Sequence, residues 1–231
     1  MLAHMMCERY VIPAQAEAER ELAPMTRWWR FAPSFNVGLA KQVPVVRVHN
    51  GESEGVLMRW GLVPAWAEGK PQEDKALHVD AREMESSLLF SGAWGQGQRC
   101  VLPFAGFYVW QLTPERHRQP FFVRCADRPV FGVAGLWDRS VADRDDVIES
   151  CSLITVPASS MMAAIDNLGR RMPAILQPNE YETWLNASAA EAKALLETRQ
   201  SDGLVAHPVS PRINSMKYDD ENLIKPVRPP H

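Results

Sequence analysis

The segment that decides the fold is "VPVVRVHNGESEGVLMRWGLVP", residues 43–64. Two apolar runs, 43–48 and 56–64, flank the polar, glycine-containing segment "HNGESEG". Branched apolar side chains favour strands, and glycine between two strands permits a tight reversal of the chain. The segment therefore predicts an antiparallel β-hairpin.

Further apolar segments follow at close spacing and are typical of strands. They are residues 99–111, 119–125, 129–138 and 152–158. Helical patterns are fewer, and the last of them is alanine-rich. They are residues 16–25, 83–94, 178–186 and 187–199. With no repeat and no linker, the chain is predicted to form one α+β domain. We expect a β-rich, mostly antiparallel, barrel-like sheet flanked by helices, with less helix than strand.

The composition favours an ordinary folded domain. The chain has 231 residues, of which 46% are hydrophobic, enough for one substantial core. No apolar run approaches the roughly 20 residues of a membrane span, and no signal-type stretch of roughly 7–15 apolar residues opens the chain. We therefore expect a cytoplasmic protein without membrane association. The net charge of −3 provides no global attraction to nucleic acid, although a local basic patch is compatible with it.

The four cysteines are Cys7, Cys100, Cys125 and Cys151. They form no CxxC pair and no histidine cluster accompanies them, so we expect no metal, no other cofactor and no disulfide framework. The last three lie in apolar runs and are expected in the core. The first follows two methionines in "MMCERY". If translation began at Met6 and that residue were removed, Cys7 would carry a free α-amine beside its thiol.

A series of short motifs occurs in a specific order along the chain. They are "MCERY", "RFAPSFNVG", "MRWGLVPAW", "VDAREMESS", "RCVLPFAGFYVW", "QPFFV", "FGVAGLWD", "ITVPA", "GRRMPAIL" and "HPVSPRINS". Together, from Cys7 to about Val227, they resemble the SOS response-associated peptidase (SRAP) family. The resemblance implies a fold of that type over residues 7–227, with residues 1–6 a leader or a start assigned too early.

Members of that family bind abasic sites in single-stranded or junction DNA. Their first methionine is removed, and the exposed cysteine amine attacks the sugar aldehyde to form a Schiff base. The thiol then closes on the same carbon, which gives a thiazolidine and a stable DNA–protein crosslink. An α-amine with a pKa of about 7.7–8.0 is partly neutral at pH 7, as this covalent chemistry requires. The resemblance implies a monomeric abasic-site sensor of this kind, with associated self-peptidase character.

The resemblance also assigns roles to individual residues of this chain. Cys7 corresponds to the nucleophile, and Asn36 to the asparagine that hydrogen-bonds the modified sugar. The implied DNA-binding residues are Arg9, Trp66, Arg82 and Arg171. Arg9 and Arg82 correspond to phosphate contacts, and Trp66 to an aromatic that stacks near the DNA junction. Arg171 belongs to the family's Arg-Met-Pro motif.

Two family positions are degenerate in this chain. The family's glutamate in Gly-Phe-Tyr-Glu-Trp is Val109 here, and its histidine two residues before the Arg-Met-Pro arginine is Gly169. The histidines at 49, 78, 117 and 207 are scattered, and none occupies that position. A general acid–base group contributes about 10²–10⁴-fold, and valine and glycine exchange no protons. We therefore expect impaired crosslinking, with larger losses of reversal and of peptidase or lyase activity.

Plainer interpretations of the same residues stay open. If residues 1–6 remain attached, Cys7 is an ordinary internal residue, because its amine is then an amide. Asn36 is also typical of turns, and Arg9 and Arg82 are also typical of surface ion pairs. The functional alternative is a non-catalytic single-stranded DNA-binding module of the same fold.

Overall fold

The computed structural model describes residues 8–22, 29–72, 76–142, 146–167, 169–197 and 203–228. Within these ranges strand exceeds helix, as the sequence predicts. The strands are β1 (Tyr10–Ile12), β2 (Ser34–Val37), β3 (Gln42–His49), β4 (Glu52–Trp60), β5 (His78–Asp80), β6 (Arg99–Phe104), β7 (Gly106–Leu112), β8 (Arg118–Cys125), β9 (Phe131–Val141), β10 (Val147–Pro157), β11 (Arg171–Pro173), β12 (Ile175–Leu176) and β13 (Leu204–Pro208). The helices are α1 (Gln15–Glu21), α2 (Ser91–Gly95), α3 (Ser160–Ile165), α4 (Tyr181–Asn186) and α5 (Ala189–Glu197).

Five strands close into a barrel in the order β10–β4–β3–β6–β9, with β9 pairing back onto β10. The predicted hairpin is present as β3 and β4, whose register runs from Gln42 opposite Arg59 to His49 opposite Glu52. The barrel strands pair antiparallel except for β10 and β4, which are parallel where Ser150 lies opposite Arg59. The predicted barrel-like, mostly antiparallel sheet is therefore confirmed.

The C-terminal part of β10 extends beyond the barrel and carries two short strands. On one side β5 runs parallel to it, with His78 opposite Leu153 and Asp80 opposite Thr155. On the other side β11 runs antiparallel, with Pro173 opposite Thr155. Residues from two distant parts of the sequence thus lie on either side of one buried strand.

A second, five-stranded antiparallel sheet has the order β13–β8–β7–β1–β2. Aromatic packing joins it to the barrel. The Tyr10 ring of β1 stacks on Phe104 of β6 with 3.9 Å between ring centres, and it meets Trp60 of β4 edge-on at 5.0 Å. All three side chains are buried in one hydrophobic core. The start of β1 is therefore fixed against the end of β4.

The helices agree with the sequence in three of four places. Those predicted near 16–25, 178–186 and 187–199 are present as α1, α4 and α5. The helix predicted over 83–94 is wrong, because residues 81–86 form turns and only Ser91–Gly95 is helical. Serines at 86 and 87 compete for backbone hydrogen bonds, which explains the weak helix tendency. None of the described helices is long and apolar enough to cross a bilayer.

The cysteines outside the N-terminal motif behave as expected. Cys100, Cys125 and Cys151 are buried free thiols. Burial raises the pKa of each thiol, which keeps it protonated and unreactive. Cys7 lies outside the described residues.

Trp60 is predicted to be a main stabilising residue, because its buried ring contacts Tyr10 and its Nε1 donates to the Leu77 carbonyl at 3.1 Å. Trp60→Ala should lower the free energy of unfolding by about 3–5 kcal/mol. Trp66→Ala, which truncates an exposed tryptophan, should stay within about 0.5 kcal/mol. Urea denaturation followed by circular dichroism checks both values. Equal losses for the two variants would contradict the assignment.

Candidate functional site

Asp80 lies at the centre of the candidate site, on β5. Arg171 reaches it across β10, with its Nη1 atom 2.7 Å from Asp80 Oδ2. On the way its Nη2 donates to the Thr155 carbonyl at 2.5 Å and its Nε donates to the Thr155 hydroxyl at 3.3 Å. One guanidinium therefore ties three adjacent strands together.

A second arginine, Arg82, binds the same carboxylate from the solvent side. Its Nη2 is 2.6 Å from Asp80 Oδ2, and its backbone N–H donates to Asp80 Oδ1 at 2.8 Å. Burial by itself would raise the pKa of Asp80. The hydrogen bonds from Arg82 and the charge of Arg171 outweigh burial, and the pKa is lowered. The cluster thus holds an ionised carboxylate between two guanidiniums and keeps an excess of positive charge.

A cavity of about 360 Å³ opens beside this cluster. Its lining comes from β5, the turns after β5, β10 and the residues around the start of β11. The small and polar members of the lining are His78, Asp80, Glu83, Ser87, Thr155, Gly169 and Arg171. The structure therefore brings Arg171 and the degenerate position Gly169 to one concave site, with Arg82 attached through Asp80.

His78 is a site residue that the sequence analysis passed over. Side chains alternate along a strand, so His78 and Asp80 share one face of β5. Val79 between them is buried in the core and also contributes to the cavity lining. Within the described part of the chain, His78 Nε2 is buried without a hydrogen-bond partner. Burial, and then the charge of Arg171, lower the pKa of His78. The signal in the sequence was the alternation in "HVDAR", which places the imidazole beside the carboxylate.

Trp66 lies at the rim of the same region. It belongs to a short 3-10 turn, Ala65–Ala67, and its side chain is 52% exposed. Its Nε1 donates to the Leu88 carbonyl at 3.3 Å, and the neighbours Ser87 and Leu89 line the cavity. Leu88 itself is 75% exposed. The rim thus presents an exposed aromatic ring beside an exposed aliphatic side chain, as the stacking role predicted for Trp66 requires.

The degenerate position Val109 lies on β7, whose C-terminal end contacts residues shortly before Gly169. After Val109, Gln111 donates to the Ala164 carbonyl at 3.3 Å, and the Asn167 amide donates to the Leu112 carbonyl at 2.9 Å. Val109 is buried within the main core. The position where the family pattern has glutamate is therefore an ordinary core position here.

Arg9 and Asn36 form a separate group next to β1 and β2. Arg9 precedes β1, and its side chain packs so closely on Gly38 that an added Cβ would lie 2.6 Å from Arg9 Nη1. Burial lowers the pKa of Arg9, although Glu8 opposes this. Neither Arg9 nor Asn36 is among the described residues that line the cavity. The phosphate contact predicted for Arg9 therefore stays a prediction for a half-buried side chain.

Asn36 has a clear structural role. It is 3% exposed, and its Nδ2 donates to the carbonyls of Ile213, Ser215 and Tyr218 at 3.5, 3.0 and 2.8 Å. Its Oδ1 is buried with no partner in the described part of the chain. Asn36 thereby fixes the C-terminal segment to β2, and its predicted contact with a modified sugar stays a prediction.

The site combines the guanidinium groups of Arg82 and Arg171 with the carboxylates of Asp80 and Glu83. Across the described ranges, no group of three or more His, Cys, Asp or Glu side chains is placed to hold a metal ion. Exposed Arg82 and half-buried Arg171 instead offer guanidinium groups, whose planar donors match phosphate. The nucleophile predicted from the sequence, Cys7, lies outside the described residues.

Fold and site together define a class: a β-barrel domain with a cavity beside an Arg82–Asp80–Arg171 ion cluster and with the exposed Trp66 nearby. The chain matches the family model described as SOS response associated peptidase (SRAP) over residues 6–216. The chain therefore belongs to the SRAP family, as the motif order predicts.

Named relatives agree with this membership, and solved structures share the fold. The chain is 25% identical to "Abasic site processing protein YoqW" of Bacillus subtilis, over 84% of this chain and 87% of that one. It is 29% identical to "Abasic site processing protein HMCES" of Gallus gallus, over 91% of this chain and 71% of that one. A crystal structure of a Bacteroides thetaiotaomicron protein superposes with a TM-score of 0.82 at 24% identity, covering 96% of this chain and 100% of that one. A crystal structure of a Bordetella bronchiseptica protein superposes with a TM-score of 0.75 at 23% identity, covering 88% of this chain and 100% of that one.

Asn36→Ala is predicted to destabilise the fold by about 1–3 kcal/mol, because it removes the hydrogen bonds of a buried amide to the Ser215 and Tyr218 carbonyls. Asn36→Asp should cost more, since a carboxylate would face the same carbonyls. Asn179→Ala, at an exposed asparagine, is the matched control and should change little. Thermal and urea denaturation measure the differences. If Asn36→Ala were as stable as the control, the C-terminal segment would not depend on this side chain.

Proposed function

We propose that this protein recognises abasic sites in single-stranded or junction DNA and crosslinks to them through Cys7 as a thiazolidine. The observation that carries the proposal is the cavity beside Arg82, Asp80 and Arg171, with Trp66 at its rim, in a chain of the SRAP family. The relatives named as abasic site processing proteins support the same substrate. The functional domain spans residues 7–227, and the protein acts as a monomer in the cytoplasm.

The electrostatics of the cavity suit a weak, lesion-dependent contact with DNA. Arg82 is 73% exposed on its side chain and is the member of the cluster best placed for a phosphate. Asp80 offsets part of the positive charge, so general DNA affinity is modest. Trp66 adds a sequence-tolerant platform, since every base offers a face for stacking.

The covalent step follows from the α-amine and thiol of an N-terminal cysteine. A neutral amine adds to the aldehyde of a ring-opened sugar, water leaves, and the neighbouring thiol traps the imine. Val109 and Gly169 supply no proton-transfer group at the two family positions. Crosslinking therefore proceeds slowly, and the peptidase and lyase activities are impaired.

The alternative function is a non-catalytic single-stranded DNA-binding module of the same fold. It is favoured by the burial of Val109 in the core, since a glutamate has been replaced by a packing residue there. The two functions differ in one respect, which is whether a covalent bond forms.

The first prediction tests the covalent bond. A protein expressed from Met6, with Cys7 confirmed as first residue by intact mass, should give a heat-stable shifted band with abasic single-stranded DNA on a denaturing gel. Its rate should fall about 10²-fold below that of a family member that has both the glutamate and the histidine.

Two controls isolate the aminothiol in this experiment. Cys7→Ala should form no such band, and neither should a protein that retains residues 1–6, because its Cys7 nitrogen is an amide. A crosslink that persists in Cys7→Ala would rule out Cys7 as the nucleophile. Noncovalent binding without any band would favour the non-catalytic module.

A second prediction concerns the charge of the cluster. Arg82→Ala should weaken binding to single-stranded DNA and reduce the slope of log K against log salt by about 0.7, the value for one lost phosphate contact. Asp80→Asn should strengthen binding, because it removes the carboxylate that pairs with Arg82 and Arg171.

Fluorescence anisotropy at several salt concentrations measures both effects. Arg124→Ala, at an exposed arginine on β8 of the other sheet, is the matched control and should leave the slope unchanged. Thermal denaturation of Asp80→Asn separates a change in binding from loss of the fold. Identical salt slopes for Arg82→Ala and the native protein would remove Arg82 from the DNA interface.

A further inference from the structure

We propose that Asp138 is a positioning residue for DNA binding, because it fixes the backbone of residues 63–69 and thereby holds the Trp66 ring ready to stack on a base. The inference rests on the proposed function and deepens it, since it identifies the group that places the proposed stacking residue. The motif "FGVAGLWD" ends at Asp138, but no role for this residue followed from the sequence.

Residues 63–69 leave the end of β4 and carry Trp66 on an exposed turn. Trp66 lies in the 3-10 turn Ala65–Ala67, in which Ala67 is buried and Trp66 is exposed. The residue before the turn is Pro64, which makes no side-chain capping hydrogen bond. The first N–H groups of the turn therefore need an acceptor from another part of the fold.

Asp138 of β9 supplies that acceptor. Its Oδ2 accepts a hydrogen bond from the Ala65 N–H at 3.0 Å, and its Oδ1 accepts one from the Arg139 N–H at 2.8 Å. Asp138 is 4% exposed, and burial raises its pKa while the two backbone hydrogen bonds oppose that change. A buried carboxyl group depends on such donors, so the turn and the carboxyl group stabilise each other.

Two serines on the same face of the sheet hold the segment on either side of Ala65. Ser150 of β10 lies directly opposite Asp138, and Ser140 follows Asp138 by two residues on β9, so the three side chains share one face. Ser150 Oγ accepts from the Val63 N–H at 2.8 Å, and Ser140 Oγ accepts from the Gly69 N–H at 2.9 Å. Both serines are buried. Three neighbouring acceptors thus match three N–H groups within seven residues.

The end of the segment and the ring itself are restricted as well. Gly69 has a φ of +74°, and an added Cβ would collide with Ala142, the residue after β9. On the ring, Trp66 Nε1 donates to the Leu88 carbonyl at 3.3 Å. Backbone and ring are therefore held before DNA binds, while about half of the tryptophan side chain stays exposed. A side chain that is already ordered avoids a loss of about two- to tenfold in affinity on binding.

A double-mutant cycle on noncovalent affinity tests the role of Asp138. The probe is a single-strand/double-strand junction with tetrahydrofuran in place of the abasic sugar, which has no aldehyde and cannot crosslink. Full-length Trp66→Ala, Asp138→Ala and the double variant are titrated by fluorescence anisotropy. Trp66→Ala should weaken binding about tenfold, the value of stacking one base. Asp138→Ala should weaken it about fivefold, but less than about twofold when Trp66 is already alanine.

A matched control separates positioning from stability. Glu54→Ala removes another buried carboxyl group of the barrel, on β4, roughly 16 Å along the strand from Arg59, which lies opposite Ser150. Glu54→Ala should lower the melting temperature and keep the native affinity. Ser140→Ala repeats the cycle at the Gly69 hydrogen bond if Asp138→Ala fails to fold, and it should weaken binding at least twofold only when Trp66 is present.

The outcomes distinguish the positioning role from the proposed function itself. Losses that multiply in the double variant, or native affinity for Asp138→Ala, would overturn the role of Asp138 and leave stacking by Trp66 intact. A loss in Glu54→Ala equal to that in Asp138→Ala would attribute the effect to stability and overturn the role as well. Native affinity for Trp66→Ala would instead contradict the stacking in the proposed function, and positioning by Asp138 with it.

Discussion

The pairing of β10 is the constraint on which the rest of the structure depends. This one strand of 11 residues closes the barrel, since it pairs with β9 along one side and with β4 along the other. Farther along, the same two sides hold β11 and β5. Arg171 and Asp80 meet only because β10 separates them by the width of one strand. The barrel and the candidate site are therefore one structural unit, and the site has a rigid support.

Asp80 has two electrostatic effects that oppose each other. Arg171 is partly buried, burial lowers its pKa, and the nearby carboxylate opposes that change. An unpaired guanidinium at this depth would be costly, so Asp80 stabilises the cluster. The same carboxylate reduces the positive potential available to phosphate. An asparagine at this position would remove the charge and, with it, the ion pair to Arg171.

Sequence reasoning reached the fold more readily than the site, for physical reasons. The hairpin at 43–64 was predictable because strand period and turn chemistry are local. The prediction of a helix over 83–94 was wrong, because serines and the turn after Asp80 override the local helical pattern. Arg82, Arg171 and Trp66 were found as motif members. The cavity could not be predicted from the sequence, because it depends on the parallel pairing of β5 with β10, in which His78 lies opposite Leu153.

The structural role of Asn36 could not be predicted from the sequence either, because its partners are far away along the chain. Its hydrogen bonds join residues 177 to 182 positions apart, and no local pattern reports such a contact. A motif can therefore place an asparagine correctly in the sequence and still leave its function undetermined. The distinction between a sugar contact and a structural bond depends on which carbonyls surround the amide.

A chemical consequence follows from the valine and the glycine at the two degenerate positions, Val109 and Gly169. By microscopic reversibility, a group that speeds crosslinking through a given transition state speeds reversal through it by the same factor. Loss of the glutamate and histidine therefore slows both directions of any shared step and leaves the equilibrium unchanged. A larger loss of reversal, as the family pattern implies, requires that reversal be limited by a different step, such as ring opening. A crosslink that forms slowly and opens more slowly still would protect an abasic site for longer.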